Sequence, residues 1–162
     1  MTAEARHQTV LVAVDGSAAS AAAVRWAAAG AERRHARLHA VHVIESQDSP
    51  GRRSLDDISC ELDLARRTVP GRVSGWMVGA GIAVDVAVSV VTGDVGARLA
   101  REAADAVLVV IGAPDSLHHS ALPRALAETC LCPVAMVGPF GEVTQVDVST
   151  HSGTTGASQA RR

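Results

Sequence analysis

The fold is decided by the segment TVLVAVDGS, residues 9–17. Thr9 to Val14 is a short apolar run rich in β-branched residues, which is typical of a strand buried on both faces of a parallel sheet. Asp15-Gly16 then predicts a turn, and Ser17 is placed to cap a helix. Because the Ala-rich segment 18–36 follows at once, the pattern predicts a strand, a turn and a helix in succession.

The alternation of strand-like and helix-like patterns continues along the chain. Further apolar runs predict four more strands, at residues 38–44, 83–91, 106–111 and 134–137. Strands that alternate with helices form βαβ crossovers and a mostly parallel sheet with helices on both faces. The sequence therefore predicts an open α/β sheet of five strands, whose ligand crevice lies beyond the carboxyl ends of the strands.

The predicted helix after the second strand has a clear beginning and a doubtful middle. Ser54 and Asp57 have the spacing of a capping box, in which each side chain accepts a hydrogen bond from the other's backbone N–H. Pro70 lacks an N–H and Gly75 is a weak helix former, so these two residues predict a kink or a break.

Length and composition predict one domain with two polar ends. The 162 residues divide into a polar arm (1–7), an α/β body (8–139) and a tail (140–162). The tail is rich in Gly, Ser, Thr, Gln and Arg, so we expect it to be disordered. A tail that recruits a protein partner is an alternative hypothesis.

The composition also excludes several classes of protein. Aromatic residues make up 2% of the chain, and its 15 basic residues are outnumbered by 17 acidic ones, so no nucleic-acid surface is expected. Three cysteines are too few for a disulfide framework and favour a reducing compartment. No segment has the pattern of a secretory signal or a membrane span, so we expect a cytoplasmic protein.

The candidate metal and catalytic groups are weak. Neighbouring His118 and His119 do not share a helix face, and Cys130 and Cys132 lack the C-x2-C spacing. Gly93 with Asp94 favours a turn and a helix cap over an anion site. We therefore expect no metal site, no catalytic residue and no enzyme activity.

Several motifs together resemble the universal stress protein family. They are the strand and turn ending in Asp15-Gly16-Ser17, the segments 38–44 and 91–94, and the last two predicted strands, 108–112 and 132–137. The resemblance covers residues 8–139 and implies the strand order 3-2-1-4-5 and a homodimer. Because Val134 to Val137 would form an apolar edge strand, we expect the dimer to pair through it.

The same resemblance implies positions for a nucleotide. In the family, Asp15 corresponds to an acid beside the base, Val43 to an apolar residue beside the base, and Gly112 to the start of a phosphate loop. Two roles are open for Asp15, since a turn acid also accepts nearby N–H groups. Aligned back from Pro133, Ser120 falls at the loop's final glycine.

This loop departs from the family pattern G-x2-G-x9-G-[S/T]. Asp115 stands at the second glycine, Pro114 has no N–H, and only four residues separate Asp115 from Ser120. Each hydrogen bond to a charged group contributes about 1.5–3 kcal/mol, so losing three removes roughly 5–9 kcal/mol. A micromolar ligand has only about 8 kcal/mol of binding free energy, so the sequence predicts that triphosphate binding is absent or very weak.

The sequence thus predicts a stress-response or regulatory protein that acts by binding and dimerisation, with no cofactor expected. A nucleoside or a monophosphate still fits the base side of the crevice. The alternative is a nucleotide sensor or slow ATP hydrolase that binds ATP or AMP.

Overall fold

The computed structural model describes residues 8–46, 54–114 and 121–146. Within these ranges the elements in chain order are β1 (Thr9–Ala13), α1 (Ala18–Arg33), β2 (Arg37–Glu45), α2 (Leu55–Gly79), β3 (Val86–Gly93), α3 (Val95–Glu102), β4 (Ala106–Gly112), α4 (Leu122–Thr129), β5 (Val134–Val137) and β6 (Val143–Val146).

The strands form one sheet in the order β3-β2-β1-β4-β5-β6. The pairs from β3 to β5 are parallel, and β6 is antiparallel to β5. The predicted α/β class and the order of the first five strands are therefore confirmed, and the sheet has one strand more than the sequence predicted.

Helices cover both faces of the sheet. Residues of α1 and α2 pack with Val10 and Val12 in one apolar cluster, and residues of α3 and α4 pack with Leu11 in the other. All three of these β1 residues are fully buried. This two-sided burial explains why β1 is continuously apolar and shows no alternation with polar residues.

The topology places a switch point in the strand order at the carboxyl end of β1. From β1 the chain crosses to β2 on one side, whereas β4 lies on the other side. The loops that follow β1 and β4 therefore lead to opposite faces of the sheet, α1 to one and α4 to the other. A gap between two such loops is where open α/β sheets bind ligands.

Helix α2 is continuous from Leu55 to Gly79, so the predicted break is wrong. The predicted capping box at Ser54 is confirmed. Pro70 lies inside the helix and removes one backbone hydrogen bond. A buried stripe on the neighbouring turns packs into the core and offsets this loss. The stripe consists of Ala65, Val69, Val73 and Met77. Neither α2 nor any other helix in the described ranges is both long and apolar enough to cross a bilayer.

Strand β6 corrects two predictions about the end of the chain. Val143–Val146 is a strand inside the segment predicted to be disordered, while residues 147–162 lie outside the described part. Because β6 pairs with β5, the strand Val134–Val137 is not the edge of the sheet. The predicted dimer interface on β5 is covered by the chain's own β6.

Candidate functional site

The turn between β1 and α1 is closed by its own side chains. Asp15 Oδ1 accepts a hydrogen bond from the Ser17 N–H at 2.8 Å, and Ser17 Oγ accepts one from the Ser20 N–H at 3.1 Å. Gly16 has a φ of +87°, a left-handed conformation that favours glycine. The predicted turn at Asp15-Gly16 and the predicted cap at Ser17 are both present.

Asp15 has a structural role and keeps room for a ligand. The residue is exposed, and its Oδ2 has no hydrogen-bond partner among the described residues. The two roles considered for Asp15, turn acid and ligand contact, are therefore compatible. Oδ1 stabilises the turn, and Oδ2 is left for a ligand.

Strand β2 brings Val43 beside this turn. The β1–β2 register pairs Ala13 with Val41, so Val43 lies near the carboxyl end of β2, beside the end of β1 that leads into Asp15. His42 Nδ1–H donates to the Val14 carbonyl at 2.6 Å, an arrangement in which Nδ1 carries the proton because a carbonyl only accepts. Val43 is half-buried on the face covered by α3 and α4. Asp15 and Val43 therefore both lie at the carboxyl-end side of two neighbouring strands.

Gly112 is required by packing at the end of β4. A Cβ at this position would lie 2.8 Å from the Ser20 nitrogen and 2.9 Å from the Ala19 carbonyl carbon. Both obstructing atoms are backbone, so the first turn of α1 packs against β4 only when residue 112 has no side chain. The residue therefore has a structural reason to be glycine that is independent of any phosphate.

The two described residues that follow Gly112 offer no free backbone donor. The Ala113 N–H donates to the Val137 carbonyl at 2.7 Å, and Pro114 has no N–H. The loop positions Asp115 and Ser120 lie outside the described residues, together with His118 and His119.

The beginning of α4 lacks a side-chain cap and has one backbone donor fewer than usual. Ala121 provides no side-chain cap, and Pro123 occupies the first turn. Leu122 packs towards Gly96 of α3, with its Cδ1 at 3.7 Å from where a Cβ on Gly96 would lie. This end of α4 is thus fixed by apolar contact.

Two arginines that were not predicted as site residues lie near the ends of strands. The Arg72 guanidinium lies against Gly16, with Nη1 at 2.7 Å from where a Cβ would be. Arg98 covers Gly93 with its aliphatic stem, and its buried Nε has no partner among the described residues. Arg72 is next to the buried Val73 on α2, but only the tertiary structure shows which turn it reaches.

The turn after β3 agrees with the sequence prediction of a turn and a helix cap at Gly93 and Asp94. Gly93 has a φ of +139°, and Asp94 Oδ2 accepts a hydrogen bond from the Ala97 N–H at 2.9 Å. These residues form a turn and a helix cap, as the sequence predicted.

An open groove lies beside the crevice, between α4 and the last two strands. Its volume is about 490 Å³, and it is lined mainly by apolar atoms of residues that include Pro114, Pro123, Met136 and Val146. Asp15 and Val43 do not line it. The groove is therefore separate from the predicted base side of the crevice.

Cys130 and Cys132 are half-buried before β5, with the exposed Leu131 between them. Burial raises the pKa of both thiols; the charge of Cys132 adds to the effect at Cys130, and backbone hydrogen bonds partly oppose it at Cys132. Within the described ranges, no group of three or more metal-ligating residues is present.

The raised thiol pKa values predict an order of labelling. At pH 8, iodoacetamide is expected to modify the exposed Cys60 before Cys130 and Cys132, because the thiolate is the nucleophile. The pKa values of Cys130 and Cys132 are higher in the folded chain than in the unfolded chain. The contribution of these two thiols to folding stability is therefore present at neutral pH and is lost as the pH rises through their folded-state pKa values. Peptide mass mapping over time measures the order, and faster labelling of Cys132 than of Cys60 would contradict it.

A mostly parallel sheet in this order, with its switch point at β1 and helices on both faces, defines a doubly wound α/β protein. The chain belongs to the universal stress protein family, whose family model matches residues 6–138. The resemblance found in the sequence is thereby confirmed.

Solved structures of similar fold agree with this assignment. A universal stress protein family member from Burkholderia pseudomallei is 31% identical, with a TM-score of 0.62 over 81% of this chain and 96% of that one. A universal stress protein in complex with cAMP is 21% identical, with a TM-score of 0.62 over 82% and 98% of the two chains. The Archaeoglobus fulgidus protein in complex with dAMP is 21% identical, with a TM-score of 0.57 over 80% and 97%. A search of curated proteins found no match.

Proposed function

We propose that this universal stress protein is a cytoplasmic regulatory protein whose crevice binds an adenine nucleoside monophosphate and does not hold a triphosphate. The observation that carries the proposal is that Asp15 follows β1 and Val43 lies near the end of β2, at the carboxyl ends of two strands paired as Ala13 with Val41. An exposed carboxylate oxygen beside an apolar wall suits the exocyclic amino group and the ring face of adenine.

The choice of a monophosphate follows from the donors near Gly112. A polyphosphate needs several backbone N–H groups at close range, as glycine-rich loops provide. Here the Ala113 N–H is already bonded to the Val137 carbonyl, and Pro114 and Pro123 have no N–H. A single phosphate requires fewer donors and extends less far from the base.

The fold relatives support a ligand of this size. Two of them were crystallised with cAMP and dAMP, nucleotides that each contain one phosphate. Their identity to this chain is 21%, so they support the fold, and the ligand is carried over here as part of the proposal.

The proposed activity is binding without catalysis. Asp15 is the ionisable group placed at the base side, and its Oδ1 already accepts the Ser17 N–H that closes the turn. A carboxylate that positions a base in this way selects the ligand and needs no proton transfer. The regulatory output then depends on whether the crevice is filled.

Replacing Asp15 tests the proposal. Asp15→Ala is expected to weaken AMP binding by about 10-fold to 150-fold, because a hydrogen bond to a charged group contributes about 1.5–3 kcal/mol. Calorimetric titration measures the change. Asp105→Ala is the matched control, since Asp105 is exposed immediately before β4, at the amino-terminal end of the sheet.

Each result of this titration has a clear meaning. AMP affinity that falls in Asp15→Ala and stays unchanged in Asp105→Ala supports the proposed site. Absence of AMP binding to the native chain, or equal affinity in native protein and Asp15→Ala, rejects it.

A further inference from the structure

Cys130 and Cys132 lie on the short connection between α4 and β5, with their side chains on the same side. Both pack against the apolar cluster that contains Leu126 and Val109, whereas Leu131 between them is 102% exposed. Cys130 is extended, with φ −77° and ψ 142°, and along an extended backbone the side chains of residues i and i+2 share a side. The fold therefore brings the two thiols together on one face.

The two cysteines are near enough in the chain for a disulfide. Because they are two residues apart, their Cα atoms are separated by at most about 7 Å even in a fully extended chain. The chain bends at Leu131 and Cys132, which shortens this separation towards the range of about 4.4–6.8 Å that disulfides span. Burial raises the pKa of Cys130, and the charge of Cys132 raises it further, as expected for neighbouring sulfur atoms.

The third cysteine of the chain, Cys60, lies on the other face of the sheet. It is exposed on α2, whose buried residues belong to the apolar cluster shared with α1. Cys130 and Cys132 belong to the cluster shared with α3 and α4. The sheet therefore separates Cys60 from the other two thiols, which have each other as the nearest partner.

A dithiol of this kind has a defined chemistry in the reducing compartment proposed above. Disulfides that form in such a compartment are usually transient and serve catalysis or redox sensing. A bridge across one intervening residue adds little to stability, because the stabilisation by a disulfide grows with the length of the closed loop. A bridge between Cys130 and Cys132 is therefore expected to open again when reductant returns.

We propose that Cys130 and Cys132 form a reversible disulfide when the chain meets a peroxide, so that the connection between α4 and β5 is an oxidant-sensing site. The Cys132 thiolate attacks one oxygen of hydrogen peroxide, the O–O bond breaks, and Cys132 becomes a sulfenic acid as the first water leaves. The Cys130 sulfur then attacks the Cys132 sulfur, the S–O bond breaks, and a second water leaves. The two thiols lose two electrons and two protons, and the peroxide is reduced to two molecules of water.

Burial slows this reaction without preventing it. Burial raises the pKa of both thiols, and backbone hydrogen bonds oppose the effect at Cys132, which is why Cys132 makes the first attack. Each unit of raised pKa lowers the thiolate fraction about tenfold and raises the nucleophilicity of the thiolate about threefold, so the net rate falls only about threefold. The product is an uncharged disulfide, which suits the apolar cluster better than two thiolates do. The inference does not depend on nucleotide binding.

Peroxide oxidation of Cys60→Ser tests the proposal, because this variant keeps only Cys130 and Cys132. The single chain is expected to lose two hydrogen atoms and both sites for N-ethylmaleimide, and a dithiol reductant is expected to restore them. At about 10 µM protein, the bridged single chain is expected to exceed disulfide-linked pairs of chains by about 100-fold, because a tethered thiol has an effective concentration in the millimolar range. Cys60→Ser combined with Cys132→Ser is the matched control, which leaves Cys130 without a partner and is expected to give no lighter single chain.

Peptide mass mapping of the oxidised native chain guards against misfolding of the serine variants. Cleavage after glutamate releases residues 129–142, which contain Cys130 and Cys132 and are separate from Cys60. This peptide is expected to be two hydrogen atoms lighter, with any added oxygen on Met136. Free thiols at Cys130 and Cys132 after Cys60 is fully oxidised overturn the proposal. Oxygen added to either of these two sulfurs in place of the bridge, or a disulfide from either one to Cys60, also overturns it.

Discussion

Gly112→Ala is expected to destabilise the protein by about 3 kcal/mol, the upper end of the usual cost of overpacking. The added Cβ would lie within 3 Å of the Ser20 nitrogen and the Ala19 carbonyl carbon. Backbone atoms cannot rotate aside as a side chain can, so α1 must move away from β4. Urea denaturation measures the loss of stability as a lower midpoint, with the dependence of the unfolding free energy on urea concentration unchanged.

Gly75→Ala is the matched control for this substitution. Gly75 lies inside α2, and a Cβ there would have no atom within 4 Å. Alanine is the better helix former, so this variant is expected to stabilise the chain by about 0.5–1 kcal/mol. Equal effects of the two variants would contradict the proposed close packing at Gly112.

Leu126→Ala is expected to lower the free energy of unfolding by about 2–5 kcal/mol. Leu126 is 1% exposed and holds α4 in the apolar cluster beneath α3 and α4. Since α4 has eight residues and only Leu126 and Pro123 are buried, the other side chains cannot replace this contact. The same denaturation experiment measures the change.

Leu64→Ala is the control for the leucine substitution. Leu64 lies on α2 and is 61% exposed, so the same side chain is removed with little loss of packing. Its effect is expected to stay within about 0.5 kcal/mol. If both leucine variants lost similar stability, the account of α4 would be wrong.

The fold followed from the sequence where local pattern and tertiary burial agree. The prediction for β5 matches its observed bounds, and β1 differs by one residue, because strands buried on both faces are continuous apolar runs. The break that was one of the two outcomes predicted at Pro70 does not occur, because the buried face of α2 outweighs one lost hydrogen bond.

Strand β6 was missed because its residues are few and its surroundings are polar. A usable signal was present: Gly138 to Gly141 predicts a turn, and a short β-branched segment follows it. The structure confirms a hairpin there, with Gly141 at a φ of +87°. The composition of the whole tail concealed this local pattern.

The candidate site was only partly accessible from the sequence. Asp15 and Val43 were identified through the family resemblance, and the parallel pairing of β1 with β2 places both at the carboxyl-end side of these strands. The contacts of Gly112 with α1 and of Arg72 with Gly16 join residues far apart in the chain. Such contacts depend on how helices pack on the sheet, which periodicity does not specify.

The most direct test of the account compares AMP and ATP on the native protein. Calorimetric titrations under identical conditions are predicted to give saturable AMP binding and ATP binding at least about tenfold weaker, because the Ala113 N–H is occupied and Pro114 has none. An ATP affinity tighter than about 10 µM, or tighter than that for AMP, would contradict the account.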